Sequence, residues 1–181
     1  MISTGIVALA EIGDKTQLLA LLLAARFKKP WPIVWGILVA TVLNHAMAGA
    51  LGAWVTTLVS PQTLRWVLGS SFIAMAVWML IPDKLDDGAD RPPVRFGVFG
   101  TTVVLFFLAE MGDKTQVATV MLAARFDAYA AVVAGTTLGM MLANVPVVLL
   151  GERMTRLVPL RLVHVVSAII FLGLGLFALL G

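Results

Sequence analysis

The sequence contains no cysteine, and only 13% of its 181 residues are charged. The absence of cysteine excludes disulfide bonds and the thiolate ligands used by zinc, copper and iron–sulfur centres, so any metal site must use oxygen and imidazole nitrogen. The shortage of charge accompanies 60% hydrophobic residues and a mean hydropathy of +1.00. This composition excludes an ordinary soluble domain and predicts a small integral membrane protein.

Basic residues outnumber acidic residues by 13 to 10, and the isoelectric point is about 9.7. Most of the basic residues lie in short segments between apolar runs, where the topology of a membrane protein alone accounts for them. We therefore expect a lipid bilayer, and no nucleic acid, as the partner of this chain. The first apolar run has no basic segment before it and no small-residue cleavage site, so we expect a retained membrane helix rather than a signal peptide.

Long apolar segments predict six transmembrane helices in an all-α protein. Prolines mark the turns between these segments, for example Pro30, Pro61 and Pro159. The long polar stretch from Asp83 to Arg95 is interpreted as a linker, because the spacing of its aspartates matches no calcium loop. The predicted helices cover about 2–26, 32–58, 62–81, 97–125, 129–151 and 160–180.

A charged heptapeptide occurs twice, as Glu11 to Gln17 and as Glu110 to Gln116. The same offset of 99 residues aligns His45 with Asn144. The chain is therefore predicted to contain two repeats of three helices, and because three is odd, the second repeat must have inverted topology. The predicted division is a first repeat, a cytoplasmic linker and a second repeat, which form one membrane domain: 1–82, 83–96 and 97–181.

The distribution of basic residues predicts the orientation of the chain. The loops after the first, third and fifth predicted helices are basic, with Arg26, Lys28 and Lys29, then Lys84, Arg91 and Arg95, then Arg153, Arg156 and Arg161. Because basic loops stay in the cytoplasm, these three loops are predicted to be cytoplasmic and both termini to lie outside.

Each heptapeptide places two carboxylates and a lysine near the middle of an apolar run, where each charge costs about 2.5 to 3.5 kcal/mol. On a helix, positions i, i+3 and i+4 share one face, so these three side chains are expected to point the same way. In inverted repeats the acids of the two copies can converge at mid-membrane, where they would suit a divalent cation. The predicted cation ligands are Glu11, Asp14, Glu110 and Asp113.

Other polar residues are predicted to support this site. The glycines Gly13 and Gly112 would allow close helix packing or an opened turn. His45 is a candidate for a further ligand or for a hydrogen-bond donor to a ligand, and the alternative is a packed, hydrogen-bonded histidine. The full supporting set is Lys15, Thr16, Gln17, Lys114, Thr115, Gln116, His45 and Asn144.

A purely structural role for the heptapeptides is the alternative to a cation site. Ion pairs from Glu11 to Lys15 and from Glu110 to Lys114 would fit the i, i+4 spacing and fasten the repeats together. They would leave the two aspartates as uncompensated charge in a medium of low dielectric constant. A bound cation or a proton is then required, so the functional interpretation is preferred.

The duplicated E-x-G-D-[KR]-[TS] motifs, Glu11 to Thr16 and Glu110 to Thr115, resemble the signature of uncharacterised protein family 0016. This family comprises Golgi-type calcium/manganese cation–proton antiporters and bacterial manganese exporters, and the resemblance covers nearly the whole chain. It implies export of Mn²⁺ or Ca²⁺ from the cytosol against protons, with the matching acids as ligands and no prosthetic group. The short linker resembles that of a prokaryotic member in the plasma membrane. The motif does not separate Mn²⁺ from Ca²⁺.

Proton coupling also follows from the expected crowding of the acids. Four carboxylates in a low-dielectric site cannot all stay ionised once the cation leaves. The sequence therefore predicts that cation release is accompanied by proton uptake, shared among the coupled acids.

Two competing functions are considered. A passive divalent-cation channel could use the same ring of carboxylates as a filter, although inverted repeats favour a carrier. An intramembrane aspartyl protease would place two aspartates on separate helices, but its G-x-G-D motif differs at Glu11 and Glu110, and a lysine follows each aspartate here. We therefore expect a transporter and no enzyme, and the sequence leaves open whether it forms a homo-oligomer.

Overall fold

The computed structural model describes residues 2–81, 96–126, 128–151 and 160–180, and within these ranges the regular structure is helical with no strand. The predicted all-α class is therefore confirmed for the described part of the chain. The predicted linker, apart from Phe96, lies outside the described residues, as do Arg153, Arg156 and Pro159.

Eight helices are described, each joined to the next by a short turn or by residues outside the described ranges. Their bounds are α1 Ile2–Glu11, α2 Lys15–Phe27, α3 Pro30–Leu58, α4 Pro61–Trp78, α5 Gly97–Glu110, α6 Lys114–Arg125, α7 Tyr129–Leu150 and α8 Leu160–Leu180. The predicted helices at 32–58, 129–151 and 160–180 correspond to α3, α7 and α8 within two residues at each end.

Three of the described helices are long and apolar enough to cross a membrane: Pro30–Leu58, Tyr129–Leu150 and Arg161–Leu180. A fourth apolar helix, Gly97–Glu110, is shorter. The first and fourth predicted spans are not among the three because each is divided into two short helices. The third predicted span corresponds to α4, which ends at Trp78 and includes Arg65.

The continuous helices predicted over 2–26 and 97–125 are wrong. The chain breaks within both heptapeptides, where Gly13 and Gly112 take positive φ angles of 86° and 76°. Glycine adopts this left-handed backbone at little cost, and a helix commonly ends there. Asp14 and Asp113 follow in an extended conformation, with ψ of 166° at both, and act as the N-cap residues of α2 and α6.

The broken helices pack against helices from the other half of the sequence. Both α1 and α2 contact α7, both α5 and α6 contact α3, and α4 lies against α8. One apolar core joins α4 and α8, where the ring centroids of Phe72 and Phe171 are 6.2 Å apart. A second core contains Leu23, Ile37 and Phe106. This packing brings the two breaks towards the middle of the bundle.

Candidate cation site

The opened turn of each heptapeptide is closed by its own glutamine. The Gly13 N–H donates to Gln17 Oε1 at 2.9 Å, and the Gly112 N–H donates to Gln116 Oε1 at 2.6 Å. These bonds satisfy backbone donors that the break removes from the helical ladder. The glutamines were predicted as supporting residues, and the structure shows that they stabilise the turn.

Three carboxylates from the two motif copies lie together. Glu11, Asp14 and Asp113 are each at most 2% exposed. One carboxylate oxygen from each residue lies within 4.8 Å of the others. We refer to these three residues as the acidic trio. Buried carboxylate oxygens at this spacing can coordinate a hard divalent cation.

Lys15 contacts the acidic trio from the partly exposed side. Its Nζ lies 3.5 Å from Asp113 Oδ1, so it pairs across the two motifs and not with Glu11 as the structural alternative proposed. Lys114 is buried, and its Nζ donates to the Ile81 carbonyl at 2.7 Å.

Glu11 is the most extensively hydrogen-bonded acid of the site. Thr16 Oγ1 donates to its Oε2 at 2.6 Å, and Asn144 Nδ2 approaches the same oxygen at 3.4 Å. Thr115 Oγ1 donates to Glu11 Oε1. Asn144 is itself held by a bond of 3.1 Å from Nδ2 to the Met140 carbonyl. These donors hold the Glu11 carboxylate in one orientation.

Glu110, the fourth predicted ligand, has different surroundings. Its carboxylate is fully buried, and neither oxygen has a hydrogen-bond partner among the described residues. His45 Nε2 lies 3.9 Å from Glu110 Oε2, and the histidine is also fully buried. The structure therefore places three predicted ligands in one group and the fourth beside His45.

Two hydrogen-bond partners of the glutamines are absent from the predicted supporting set. Gln116 Nε2 donates to Asn44 Oδ1, and Asn44 Nδ2 donates to the Phe107 carbonyl at 3.2 Å. Gln17 Nε2 donates to the Ala143 carbonyl at 3.1 Å. An asparagine within an apolar segment is a sequence signal, and it offers Asn44 as a weaker candidate ligand. A backbone carbonyl such as that of Ala143 has no such signal in the sequence.

The sequence model of the family described as divalent cation/proton antiporter GDT1 matches residues 1–87 and 98–181. A Vibrio cholerae protein named "Putative manganese exporter" is 54% identical over 176 residues, which cover 97% of this chain and 87% of that protein. A rice GDT1-like protein 3 is 28% identical, over 94% of this chain and 70% of the relative. A GDT1-like protein of Synechocystis is 26% identical, over 92% of this chain and 89% of the relative.

No solved structure matches the chain. The two matched segments together cover most of the sequence, and each contains one heptapeptide with its acids, glycine and lysine. The chain belongs to the GDT1 family of divalent cation/proton antiporters, and it is a membrane transporter rather than an enzyme.

Proposed function

We propose that this protein exports Mn²⁺ from the cytosol in exchange for protons, with the acidic trio and Glu110 as the cation ligands. The observation that carries the proposal is the meeting of buried carboxylates from both motif copies. We propose Mn²⁺ and not Ca²⁺ as the transported ion because the Vibrio cholerae relative, 54% identical to this chain, carries the name "Putative manganese exporter". Carboxylate oxygens suit both ions.

The charge of the site supports a bound cation. Isolated ionised carboxylates inside a protein cost several kcal/mol each. Lys15 contributes one positive charge, in contact with Asp113, to a site where three carboxylates meet. A divalent cation supplies the charge that the trio needs. When the cation leaves, protons must replace it, because crowded carboxylates cannot all stay ionised in a low-dielectric site.

The broken helices support a binding position near the centre of the membrane. We propose that α1 with α2, and α5 with α6, each form one discontinuous span, which gives six spans in total. Transporters place ion sites at such breaks, where helix C-terminal ends carry partial negative charge. Here α1 ends at Glu11 and α5 ends at Glu110. Both C-terminal ends can therefore assist the carboxylates in attracting a cation.

The packing supports the proposed inverted repeats. The contacts of α1 and α2 with α7 correspond, after the offset of 99 residues between Glu11 and Glu110, to the contacts of α5 and α6 with α3. The family model also matches two separate segments, one in each proposed repeat. Movement of one repeat against the other would expose the site to alternate sides of the membrane.

The proposed location is the plasma membrane of a prokaryote, with both termini outside and the linker in the cytoplasm. Large exposed apolar side chains on α7 and α8, such as Leu142 and Ile169, suit contact with lipid. Because the chain has no cysteine, Gly88→Cys and Gly181→Cys each introduce a single thiol into the protein, which is purified after labelling. An impermeant thiol reagent applied to intact cells should label only position 181. Labelling at position 88 alone would show that the linker lies outside and that the proposed orientation is wrong.

The direct test of transport uses purified protein in liposomes that contain a pH-sensitive dye, with the membrane potential clamped. Mn²⁺, Ca²⁺, Mg²⁺ and Zn²⁺ are compared with and without a pH gradient. We expect saturable Mn²⁺ movement, opposite proton movement, and uphill Mn²⁺ transport driven by the pH gradient. Metal movement without proton movement would contradict antiport, and the absence of uphill transport would indicate a passive channel.

A further inference from the structure

His45 is a buried polar residue whose hydrogen-bonding capacity is unused. It lies within α3, it is fully buried, and neither ring nitrogen has a hydrogen-bond partner among the described residues. Leaving a buried polar group unsatisfied costs about 1 to 3 kcal/mol, so such a group in a native protein needs an explanation. The facing Glu110 carboxylate is unsatisfied in the same way.

The distance between these two groups suits a shared cation better than a hydrogen bond. His45 Nε2 and Glu110 Oε2 are 3.9 Å apart, whereas an N–H···O hydrogen bond spans about 2.7 to 3.2 Å. Metal–ligand bonds of about 2.0 to 2.6 Å place two ligands of one ion about 3 Å apart at right angles and about 4 to 5 Å apart when opposed. A separation of 3.9 Å lies between these limits.

We propose that His45 Nε2 and the Glu110 carboxylate form a second cation position with mixed nitrogen and oxygen ligands, beside the all-oxygen position of the acidic trio. Imidazole is a ligand for first-row transition metals, whereas Ca²⁺ and Mg²⁺ take oxygen ligands almost exclusively. The mixed position therefore binds a divalent transition cation such as Mn²⁺ and discriminates against Ca²⁺. The inference rests on the proposed function, to which it adds a basis for ion selectivity.

The corresponding position of the second half offers no nitrogen ligand, although the Asn144 Oδ1 oxygen also has no hydrogen-bond partner among the described residues. Asn144 aligns with His45, but its amide Nδ2 is turned towards Glu11 Oε2 and is a hydrogen-bond donor. A donor aimed at a carboxylate orients that carboxylate and offers no lone pair to a cation. The nitrogen ligand is thus supplied by one half of the chain alone, next to the break that leads from Glu110 to Asp113.

Electron spin-echo spectroscopy of Mn²⁺ bound to the purified protein tests this proposal, because it detects nitrogen atoms in the first coordination shell. The chain contains two histidines, His45 and His164, so the source of a nitrogen signal can be assigned. We expect an imidazole signal in the unmodified protein and in His164→Asn. In His45→Asn and His45→Gln the signal should disappear while Mn²⁺ still binds to the acidic trio.

Competition between ions provides the second measurement. The preference for Mn²⁺ over Ca²⁺ should fall by about 10-fold or more in His45→Asn and stay unchanged in His164→Asn. Mn²⁺ bound to the unmodified protein without a nitrogen signal would overturn the mixed position and leave the proposed function standing. Failure of the unmodified protein to bind or transport any divalent cation would overturn the proposed function instead. Since the first measurement uses the unmodified protein, it does not depend on the folding of any variant.

Discussion

The two heptapeptides differ only at Ile12 and Met111, yet their glutamates have opposite surroundings. Glu11 accepts hydrogen bonds, whereas Glu110 has no hydrogen-bond partner among the described residues and faces His45. The donors that surround Glu11 are Thr16, Thr115 and Asn144. The motif therefore sets where the helix breaks and which acids are present, while the helix packed against it decides what each acid contacts.

This difference has an energetic consequence. A hydrogen-bonded carboxylate is oriented in advance and is partly compensated, so it can bind a cation with little rearrangement. A buried carboxylate without partners is destabilising until an ion or a proton arrives. Glu11 thus resembles a fixed ligand. Glu110 resembles a carboxylate that destabilises the protein unless an ion or a proton is bound to it.

The largest effect is expected at the acidic trio. Asp14→Asn, Asp113→Asn and Glu11→Gln each remove one charge that the cation requires. Loss of groups that only orient metal ligands already costs about 10 to 100-fold in affinity, so we expect Mn²⁺ transport to fall by at least about 100-fold. Initial rates of Mn²⁺ flux in liposomes measure this. The control is Asp90→Asn in the predicted linker, which should transport Mn²⁺ normally. Near-normal transport in two of the three trio variants would contradict the assignment of these acids as cation ligands.

A smaller effect with a different character is expected at Glu110. Glu110→Gln should reduce Mn²⁺ transport by about 10 to 100-fold and Ca²⁺ transport by less. In the absence of metal it should not lower stability, because it removes a buried charge that has no hydrogen bond to any described residue. Glu11→Gln also removes a buried charge, but it disturbs the bonds from Thr16 and Thr115, so it should be less stable than Glu110→Gln by about 1 kcal/mol. Thermal unfolding in detergent compares the stability of the two variants. Equal destabilisation would contradict the proposed difference between Glu11 and Glu110.

The glycines at the two breaks should behave alike, unlike the glutamates. Gly13→Ala and Gly112→Ala force a side chain into the left-handed region, which costs about 1 to 2 kcal/mol. At Gly112 no atom lies within 4 Å of an added Cβ, so backbone strain alone accounts for the loss. Gly5→Ala in α1 also has open space and serves as the control, which should be neutral or stabilising. Full stability in Gly112→Ala would show that the break does not require glycine.

The smallest expected effect concerns the second glutamine and its partner. Gln116 bonds to the side chain of Asn44, whereas Gln17 bonds to the backbone carbonyl of Ala143. A double-mutant cycle of Gln116→Leu and Asn44→Ala should give a coupling of about 0.6 kcal/mol, and at most about 1.7 kcal/mol. Pairing Gln17→Leu with Asn44→Ala should give none. Thermal unfolding measures both cycles, and coupling of equal size in the two would show that the contacts are not specific.

Much of the fold follows from the sequence, but the exact geometry of the site does not. Length and hydropathy predicted α3, α7 and α8 closely, because a long apolar segment has few alternatives in a bilayer. The breaks at Gly13 and Gly112 were foreseen only as an opened turn, since an apolar run containing one glycine also fits a continuous helix. The i, i+4 spacing of a continuous helix would pair Lys15 with Glu11, as the structural alternative supposed, whereas Lys15 contacts Asp113.

The contacts between the halves explain the remaining differences. Which acid meets Lys15, and which glutamate meets His45, depends on how α3 and α7 lie against the broken helices. No local pattern contains that information, because the partners are far apart in the sequence. The identity of the acids, in contrast, was predictable from their cost at the centre of an apolar segment.

The position of the cation is the central claim, and anomalous X-ray scattering from Mn²⁺ in crystals of the protein tests it most directly. The account predicts an anomalous peak bounded by Glu11, Asp14 and Asp113, at about 2.0 to 2.6 Å from their carboxylate oxygens. The same peak should be lost in crystals of Asp14→Asn. Strong Mn²⁺ density elsewhere in the protein, with no peak at these three carboxylates, would contradict the account.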